Sequence, residues 1–143
     1  MSAEKNLANL VAFWQTLSPA SLEKLHEHYT ENASFQDPFN AVSGLPAIHK
    51  IFEEMFQRLV EPRFTVTEVI ANGDSAFLVW DFSFGIRALK PGQVRRIHGG
   101  THLRFASDGR VCAHRDYWDA AGELYAQLPV LGPVMRTLAR WFA

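Results

Sequence analysis

The spacing of apolar residues divides the chain into a helical first part and a stranded second part. Apolar residues recur at three- and four-residue intervals over Leu7–Trp14, which predicts an amphipathic helix. A Ser-Pro pair at positions 18 and 19 is typical of a second helix start, and that helix carries Tyr29 on its apolar side. A Gly-Leu-Pro segment at 44–46 opens a predicted third helix, which places Phe52 and Met55 on one face.

After Pro62 the apolar period changes to two, which predicts β-strands. Turn signals at 72–74, 90–93 and 108–109 separate four strands of an antiparallel meander. The last three are predicted over Ser75–Arg87, Val94–Phe105 and Val111–Trp118. A short extended segment, Ala33–Asp37, is expected to add an edge strand. Helices segregated from an antiparallel sheet predict an α+β domain over residues 1–120.

Residues 121–143 are predicted to form a C-terminal amphipathic helical extension. Apolar residues recur at helical spacing between Leu131 and Phe142, and Arg136 and Arg140 lie off that stripe. A basic amphipathic helix can lie on a membrane surface, or it can pack on its own sheet or on a partner subunit. Two arginines are few for membrane binding, so the sequence favours packing.

Composition narrows the class of protein. The chain has 143 residues, is 48% hydrophobic and carries a formal charge of −1, which excludes a disordered chain and speaks against nucleic-acid binding. Cys112 is the single cysteine, so no internal disulfide can form. The N-terminus lacks the apolar core of a secretory signal, and the longest apolar run, at 76–80, is too short to span a membrane. We therefore expect a cytoplasmic protein.

Three motifs carry a family resemblance. They are Tyr-Thr-Glu-Asn-Ala-Ser-Phe-Gln-Asp-Pro at 29–38, Gly-x-x-Ala-Ile at 44–48, and Asp-Gly-Arg-Val-x-x-His-x-Asp-x-Trp at 108–118. In order and spacing they resemble the SnoaL-like and ketosteroid isomerase-like branch of the nuclear transport factor 2-like superfamily, over residues 5–120. The resemblance implies a cone-shaped α+β fold, with three N-terminal helices packed on a strongly bent antiparallel sheet. It also implies a homodimer through the exposed sheet face. Because this superfamily includes isomerases, cyclases, dehydratases, hydrolases and non-catalytic binding domains, the fold does not give the function.

Asp37 is the first candidate catalytic residue. In the isomerases that the chain resembles, the Asp before Pro at this point is the general base, and a carboxylate near an apolar cavity can abstract and return a proton. The alternative is a turn-starting Asp whose side chain binds local backbone.

The rest of the isomerase machinery has no match in this sequence. The tyrosine position of the first helix falls near Phe13 and Trp14, which have no hydroxyl, and the strand aspartate falls at Thr101. An enolate would therefore lack both strong donors of the isomerase oxyanion hole. The sequence speaks against steroid isomerisation by that mechanism.

His114 and Asp116 are the second pair of candidates. They lie two apart on the last predicted strand, so they share a face with Trp118. By resemblance to the SnoaL-like cyclases, Asp116 aligns with an acid–base Asp, and His114 could act as acid or base. Alternatively, His114 and Asp116 satisfy each other, or Asp116 pairs with an arginine on a neighbouring strand.

Strand alternation and helix stripes also predict the lining of an apolar pocket. A mostly apolar pocket with few polar groups suits a small apolar or aromatic molecule. The predicted lining comprises Trp14, Tyr29, Phe35, Phe52, Met55, Trp80, Phe82, Phe84, Thr101, Leu103 and Trp118.

The other polar residues suggest little chemistry. The six histidines show no spacing typical of a metal site, and we expect neither metal nor cofactor. Arg95, Arg96 and His98 are interpreted as a small basic patch on a solvated face. The sequence leaves open whether the protein is an enzyme using carboxylate and histidine acid–base chemistry, a non-catalytic binding module, or an interaction domain acting through its tail.

Overall fold

The first part of the chain alternates between helix and strand. A computed structural model describes residues 3–89, 92–125, 128 and 131–143. The first five elements are helix α1 (Ala3–Gln15), a 3₁₀ helix (Ala20–Glu27), strands β1 (Tyr29–Gln36) and β2 (Ala41–Ser43), and helix α2 (Leu45–Arg58).

The second part forms the predicted meander. Its strands are β3 (Leu59–Asn72), β4 (Ser75–Ile86), β5 (Arg95–Phe105) and β6 (Val111–Trp118), followed by helices α3 (Ala120–Glu123) and α4 (Leu131–Phe142). The turn between β3 and β4 has Gly73 at a φ of 62°, a conformation that glycine adopts without strain. Residues 90 and 91 of the predicted second turn lie outside the described residues.

The six strands form one mixed sheet in the order β2-β1-β6-β5-β4-β3. The sequence predicted an antiparallel sheet with Ala33–Asp37 at its edge, and both points are wrong. Strand β1 lies inside the sheet and runs parallel to β6, with Phe35 opposite His114. This pairing joins segments that are far apart in the chain, so no turn signal in the sequence predicts it. Strand β2, which the sequence did not predict, occupies the edge.

Tyr29 lies at the start of β1 and not on a helix, which corrects the second helical assignment. The element before it is a 3₁₀ helix, because its first hydrogen bonds join residues three apart, as from the Ser21 amide to the Ser18 carbonyl at 3.1 Å. Reciprocal bonds between the side chains and amides of these two serines hold that first turn. The chain therefore leaves the helix at His28, and Tyr29 enters the sheet.

The helices and one face of the sheet enclose a hydrophobic core. Along β4, buried side chains alternate with half-buried ones, and the buried set faces α1, the 3₁₀ helix and α2. The expected alternation holds, because Trp80, Phe82 and Phe84 are buried while Asp81 lies on the opposite face beside His98. A homodimer through that opposite face stays a prediction.

Helix α4 is amphipathic, as expected, and its apolar side chains Leu131, Val134, Leu138, Trp141 and Phe142 are exposed. Residues 126, 127, 129 and 130 of the predicted extension lie outside the described residues. Among the helices of the described ranges, none combines the length and apolar character required to cross a bilayer. The division into a domain and an extension stays a prediction.

Candidate functional site

A chain of side-chain hydrogen bonds crosses the interior from α1 to β6. The indole Nε1 of Trp14 donates to the phenol oxygen of Tyr29 at 3.3 Å. That phenol oxygen lies 2.9 Å from Nδ1 of His114. On the other side of the imidazole, Nε2 of His114 lies 2.8 Å from Oδ1 of Asp116. This arm connects the first helix to a carboxylate on the last strand.

A second arm reaches the same carboxylate oxygen from β4 and β5. The indole Nε1 of Trp80 donates to Oγ1 of Thr101 at 2.8 Å, and this hydroxyl donates to Oδ1 of Asp116 at 2.5 Å. The two arms together, which we name the Asp116 network, contain Trp14, Tyr29, His114, Asp116, Thr101 and Trp80. The sequence left two pairings open for Asp116, one with His114 and one with an arginine. The structure shows the pairing with His114, and no arginine pairs with Asp116 among the described residues.

The donors and acceptors of the network fit one assignment of protons. The Trp14 indole can only donate, so the Tyr29 hydroxyl hydrogen is left for Nδ1 of His114. The imidazole then carries its proton on Nε2 and donates it to an ionised Asp116. A doubly protonated His114 would leave the Tyr29 hydrogen without an acceptor in this network. The assignment, inferred from hydrogen bonding, is a neutral imidazole beside a charged carboxylate.

Sheet register explains why these side chains meet. Asp116 lies opposite Thr101, and His114 lies opposite Leu103, in the antiparallel pairing of β5 with β6. Directly opposed residues on one face of a sheet have their Cβ atoms about 5 Å apart. Tyr29 starts the neighbouring parallel strand, and its phenol therefore reaches the imidazole from the side.

Burial separates the inner part of the network from its outer end. Tyr29 and Thr101 are fully buried and His114 is 4% exposed, whereas the Asp116 side chain is 18% exposed. Burial raises the pKa of the Tyr29 phenol far above its ordinary value of 10.0, so Tyr29 stays protonated. The Phe35 ring stacks on the His114 ring at 4.4 Å. Asp116 is thus the member of the network that a ligand can reach.

Gly99 makes room for the indole of Trp80. A Cβ at this position would lie 2.8 Å from Cβ of Trp118 and 2.8 Å from the Trp80 ring, closer than real side chains approach. Any larger residue would push one of the two tryptophans away. Because Trp80 donates to Thr101, this glycine indirectly maintains the second arm.

An open cavity of about 600 Å³ borders the exposed end of the network. Asp37 and Asp116 both border it, and its rim also includes Arg115, Trp118 and Asp119. Phe39, which the sequence analysis did not single out, packs edge-on against Trp118 with the rings 5.6 Å apart. The two predicted catalytic carboxylates therefore share one cavity.

Asp37 makes the hydrogen bonds of a turn residue. Its Oδ1 accepts from the backbone amides of Phe39 at 2.8 Å and Asn40 at 2.7 Å. The Asn40 side-chain amide lies within 3.2 Å of both carboxylate oxygens. These bonds favour the local-backbone role that the sequence left as the alternative.

The remaining predicted lining residues lie in or against the core. Phe52, Phe82, Phe84 and Leu103 are buried, and Met55 and Trp118 are half-buried. A pocket lined by all of them stays a prediction. Phe64 was not among the candidates, yet its ring stacks on Phe82 at 4.3 Å. Its place in the alternation of β3 was the signal that could have revealed it.

The basic patch on β5 does not lie on one face. Arg96 and His98 are exposed as expected, but Arg95 is only 9% exposed, which corrects its assignment to a solvated face. The alternation of the strand explains this, because Arg95 shares its face with Ile97 and Thr101. Within the described ranges, no three His, Cys, Asp or Glu side chains gather as metal ligands would.

Comparison with protein families assigns most of the chain to a single family. The model of the SnoaL-like domain matches residues 10–114. Comparison with curated proteins gives no match.

Solved structures of similar fold come from several bacteria. A putative hydroxylase, AclR from Streptomyces galilaeus, is 21% identical with a TM-score of 0.68, over 92% of this chain and 96% of that one. A putative SnoaL-like polyketide cyclase from Jannaschia sp. CCS1 is 17% identical with a TM-score of 0.70, over 83% and 88%. A protein of ketosteroid isomerase-like fold from Catenulispora acidiphila, in complex with trimethylamine, is 16% identical with a TM-score of 0.70, over 85% and 90%. At these identities the likeness establishes the fold alone.

Proposed function

The chain belongs to the SnoaL-like domain family of the nuclear transport factor 2-like superfamily, and on this premise we propose that it is an enzyme that moves a proton on a small molecule. Asp116 is the group that takes and returns the proton. The observation that carries the proposal is the convergence of two buried hydrogen-bonded arms on a single carboxylate oxygen at the wall of an open cavity.

The network suits a general base that must keep its orientation. Thr101 and His114 both hold Oδ1 of Asp116, and the second oxygen, Oδ2, takes part in neither bond. A base whose position is fixed by buried neighbours loses little entropy when it reaches the transition state. Asp116 accepts a proton through Oδ2 and later returns it, so the reaction consumes no net proton. His114 and Tyr29 act as positioning residues, because neither borders this cavity.

The charges around the cavity restrict the substrate. Three acidic residues, Asp37, Asp116 and Asp119, border the cavity together with one basic residue, Arg115, whose guanidinium lies 4.9 Å from the centre of the Tyr117 ring. An anionic substrate would be repelled by this rim, whereas a neutral molecule with an acidic C–H bond would not. The Trp118 ring at the rim favours an aromatic or apolar body. The proposed substrate class is therefore a small neutral carbonyl compound with an enolisable position.

A non-catalytic binding module is the second candidate. Both nitrogens of His114 are engaged within the protein, and Asp37 is occupied by its own turn. A fully satisfied network can also serve only to rigidify a ligand-binding domain.

Proton exchange in D₂O distinguishes the two candidates. Acetophenone, 1-indanone and 2-tetralone are neutral enolisable probes, and loss of their α-proton signals is followed by ¹H NMR. We expect the wild-type protein to accelerate exchange of at least one probe over buffer, and Asp116→Asn to lose about 100-fold or more of this acceleration.

Asp81→Asn is the matched control, because Asp81 pairs with a histidine, His98, on the opposite face of the sheet. It should retain the wild-type rate. If the wild type exchanges no probe faster than buffer, or if Asp116→Asn exchanges as fast as the wild type, catalysis by Asp116 is refuted. Binding of a probe, seen by saturation-transfer NMR without accelerated exchange, would favour the binding module.

A further inference from the structure

Arg95 is a mostly buried arginine that makes no ion pair and no side-chain hydrogen bond among the described residues. The residue is 9% exposed. Its Nε atom is buried and makes no hydrogen bond with any of the described residues. None of the ion pairs in the described ranges includes Arg95. A guanidinium stays protonated in proteins, so this charge cannot be removed by losing a proton.

The buried Nε lacks the hydrogen bond that water would give it, so a bound counter-charge would stabilise this side chain. A buried charge that has lost its partner strongly destabilises the folded state, and buried arginines are normally paired. Asp81, on the neighbouring strand, cannot supply the partner, because it lies on the other face and is 2.8 Å from His98. Among the residues that the structure describes, no side chain therefore balances the charge of Arg95 on the inner face of the sheet.

The surroundings of Arg95 are apolar. Phe84 lies directly opposite on β4, and Ile97 is the next residue on the same face of β5. Both side chains are buried, as is Phe82, which lies opposite Ile97. A ligand at this place would contact hydrocarbon through its body and a guanidinium through one end.

We propose that Arg95 binds the carboxylate of a small organic acid with an apolar body, at the β4–β5 end of the inner sheet face. One guanidinium matches a single negative charge and can hold a carboxylate by two parallel hydrogen bonds. A phosphate monoester carries more charge than one arginine balances, so a carboxylate is the better match. The site is separate from Asp116, because Thr101, the β5 neighbour of Asp116, lies about 20 Å of strand beyond Arg95.

A matched pair of probes tests the charge without any mutation. Biphenyl-4-carboxylate and biphenyl-4-carboxamide differ in charge and little in shape, and titration calorimetry measures the affinity of the wild-type protein for each. We expect the carboxylate to bind at least tenfold more tightly than the amide. Equal affinities, or no binding of the carboxylate, would overturn the proposal.

Variants locate the effect. Arg95→Gln should abolish the preference for the carboxylate, and Arg95→Lys, which keeps the charge but not the planar fork, should restore part of it. Arg96→Gln is the matched control, because Arg96 is the next residue on the same strand and is exposed on the other face. A preference that survives in Arg95→Gln, or is lost equally in Arg96→Gln, would refute the assignment to Arg95.

Thermal unfolding without ligand provides a second readout that does not need a well-behaved binding assay. Arg95→Met replaces the unpaired charge by an unbranched apolar side chain. The midpoint temperature of its thermal unfolding should therefore be higher than that of the wild type. A lower midpoint would contradict the view that the charge is uncompensated. Asp116→Asn should keep the carboxylate preference, so failure of this proposal and failure of the proposed catalysis are distinguishable.

Discussion

Tyr29 and His114 are 85 positions apart in the chain, and the phenol oxygen of one lies 2.9 Å from Nδ1 of the other. The contact joins the first residue of β1 to the middle of β6. Because the Tyr29 hydroxyl donates to Nδ1, the imidazole carries its proton on Nε2, the nitrogen that faces Asp116. The proton that the imidazole donates to Asp116 thus depends on a residue that does not border the cavity.

Replacing Tyr29 by phenylalanine should destabilise the protein and disturb the imidazole. The change leaves the Trp14 indole and Nδ1 of His114 without their partner, and each unsatisfied buried group costs about 1–3 kcal/mol. Urea unfolding measures the loss, and ¹⁵N NMR of the imidazole reports its tautomer. Tyr117→Phe serves as the control, because Tyr117 is exposed and should change neither quantity. A wild-type imidazole that carries its proton on Nδ1, or on both nitrogens, would contradict the proton assignment.

Thr101→Val should break the second arm while keeping the shape of the side chain. The hydroxyl both accepts from Trp80 and donates to Asp116, so its loss leaves a buried indole unpaired at a cost of about 1–3 kcal/mol. Probe exchange should also slow, because Asp116 loses one of its two anchors. Thr65→Val, on an exposed position of β3, should alter the free energy of unfolding by less than about 0.5 kcal/mol. Equal effects of the two variants would mean that the arm contributes nothing.

His28 should make the protein less stable in mild acid. Burial lowers the pKa of His28 below its ordinary value of 6.5, with opposing effects of Glu27, which raises it, and His26, which lowers it further. The unfolded chain then binds a proton at this site more readily than the folded one. The contribution is present above pH 6.5 and is lost as the pH falls through the lower pKa of the folded state.

Urea unfolding at pH 7.5 and 5.5 measures this dependence. His28→Leu should lose less stability between the two values than the wild type. His102→Gln should behave like the wild type, because His102 lies on β5 and is not among the groups that shift the pKa of His28. The ring of His28 stacks on Phe13 at 4.3 Å, and leucine keeps an apolar contact there. An identical pH dependence in His28→Leu would assign the effect to another group.

Gly99→Ala should be among the more damaging single-methyl additions to this fold. The new Cβ would overlap Trp118 and Trp80, and overpacking of this kind typically costs about 1–3 kcal/mol. Displacement of Trp80 from Thr101 should appear as a change in tryptophan fluorescence. At Gly92 nothing lies within 4 Å of the place that a methyl group would take, so Gly92→Ala should be nearly neutral. If both variants unfold at the same denaturant concentration, the close approach is not a constraint.

Local patterns in the sequence predicted the meander well. The strand Val111–Trp118 has the predicted bounds, and β4 and β5 differ from the prediction by one residue at one end. Each of these strands is bounded by a turn signal and alternates regularly, so nearby residues determine it. Strand β1 was predicted too short and at the wrong place in the sheet, because its partner is distant in the chain and parallel.

In the candidate site, too, local patterns were predicted from the sequence and contacts between distant strands were not. Asp116, His114, Thr101 and Trp80 could be assigned to one face by alternation, but their arrangement as one hydrogen-bonded network depends on strand register, which no local pattern encodes. Arg95 is the opposite case. Strand alternation puts Arg95 on the same face as Ile97, but its charge led to the prediction that it is exposed to solvent. In the structure Arg95 follows the alternation and is mostly buried.

The parallel pairing of β1 with β6 also constrains the order in which the strands can pair during folding. Strand β1 precedes α2 and the whole meander, yet one of its two edges finds a partner only when the last strand has formed. Pairings between distant segments close large loops and slow folding, and an unpaired strand edge is prone to associate with other chains while it waits. During synthesis, the segment that carries Tyr29 therefore emerges from the ribosome before its neighbour, and the Asp116 network can be completed only once β6 has been made.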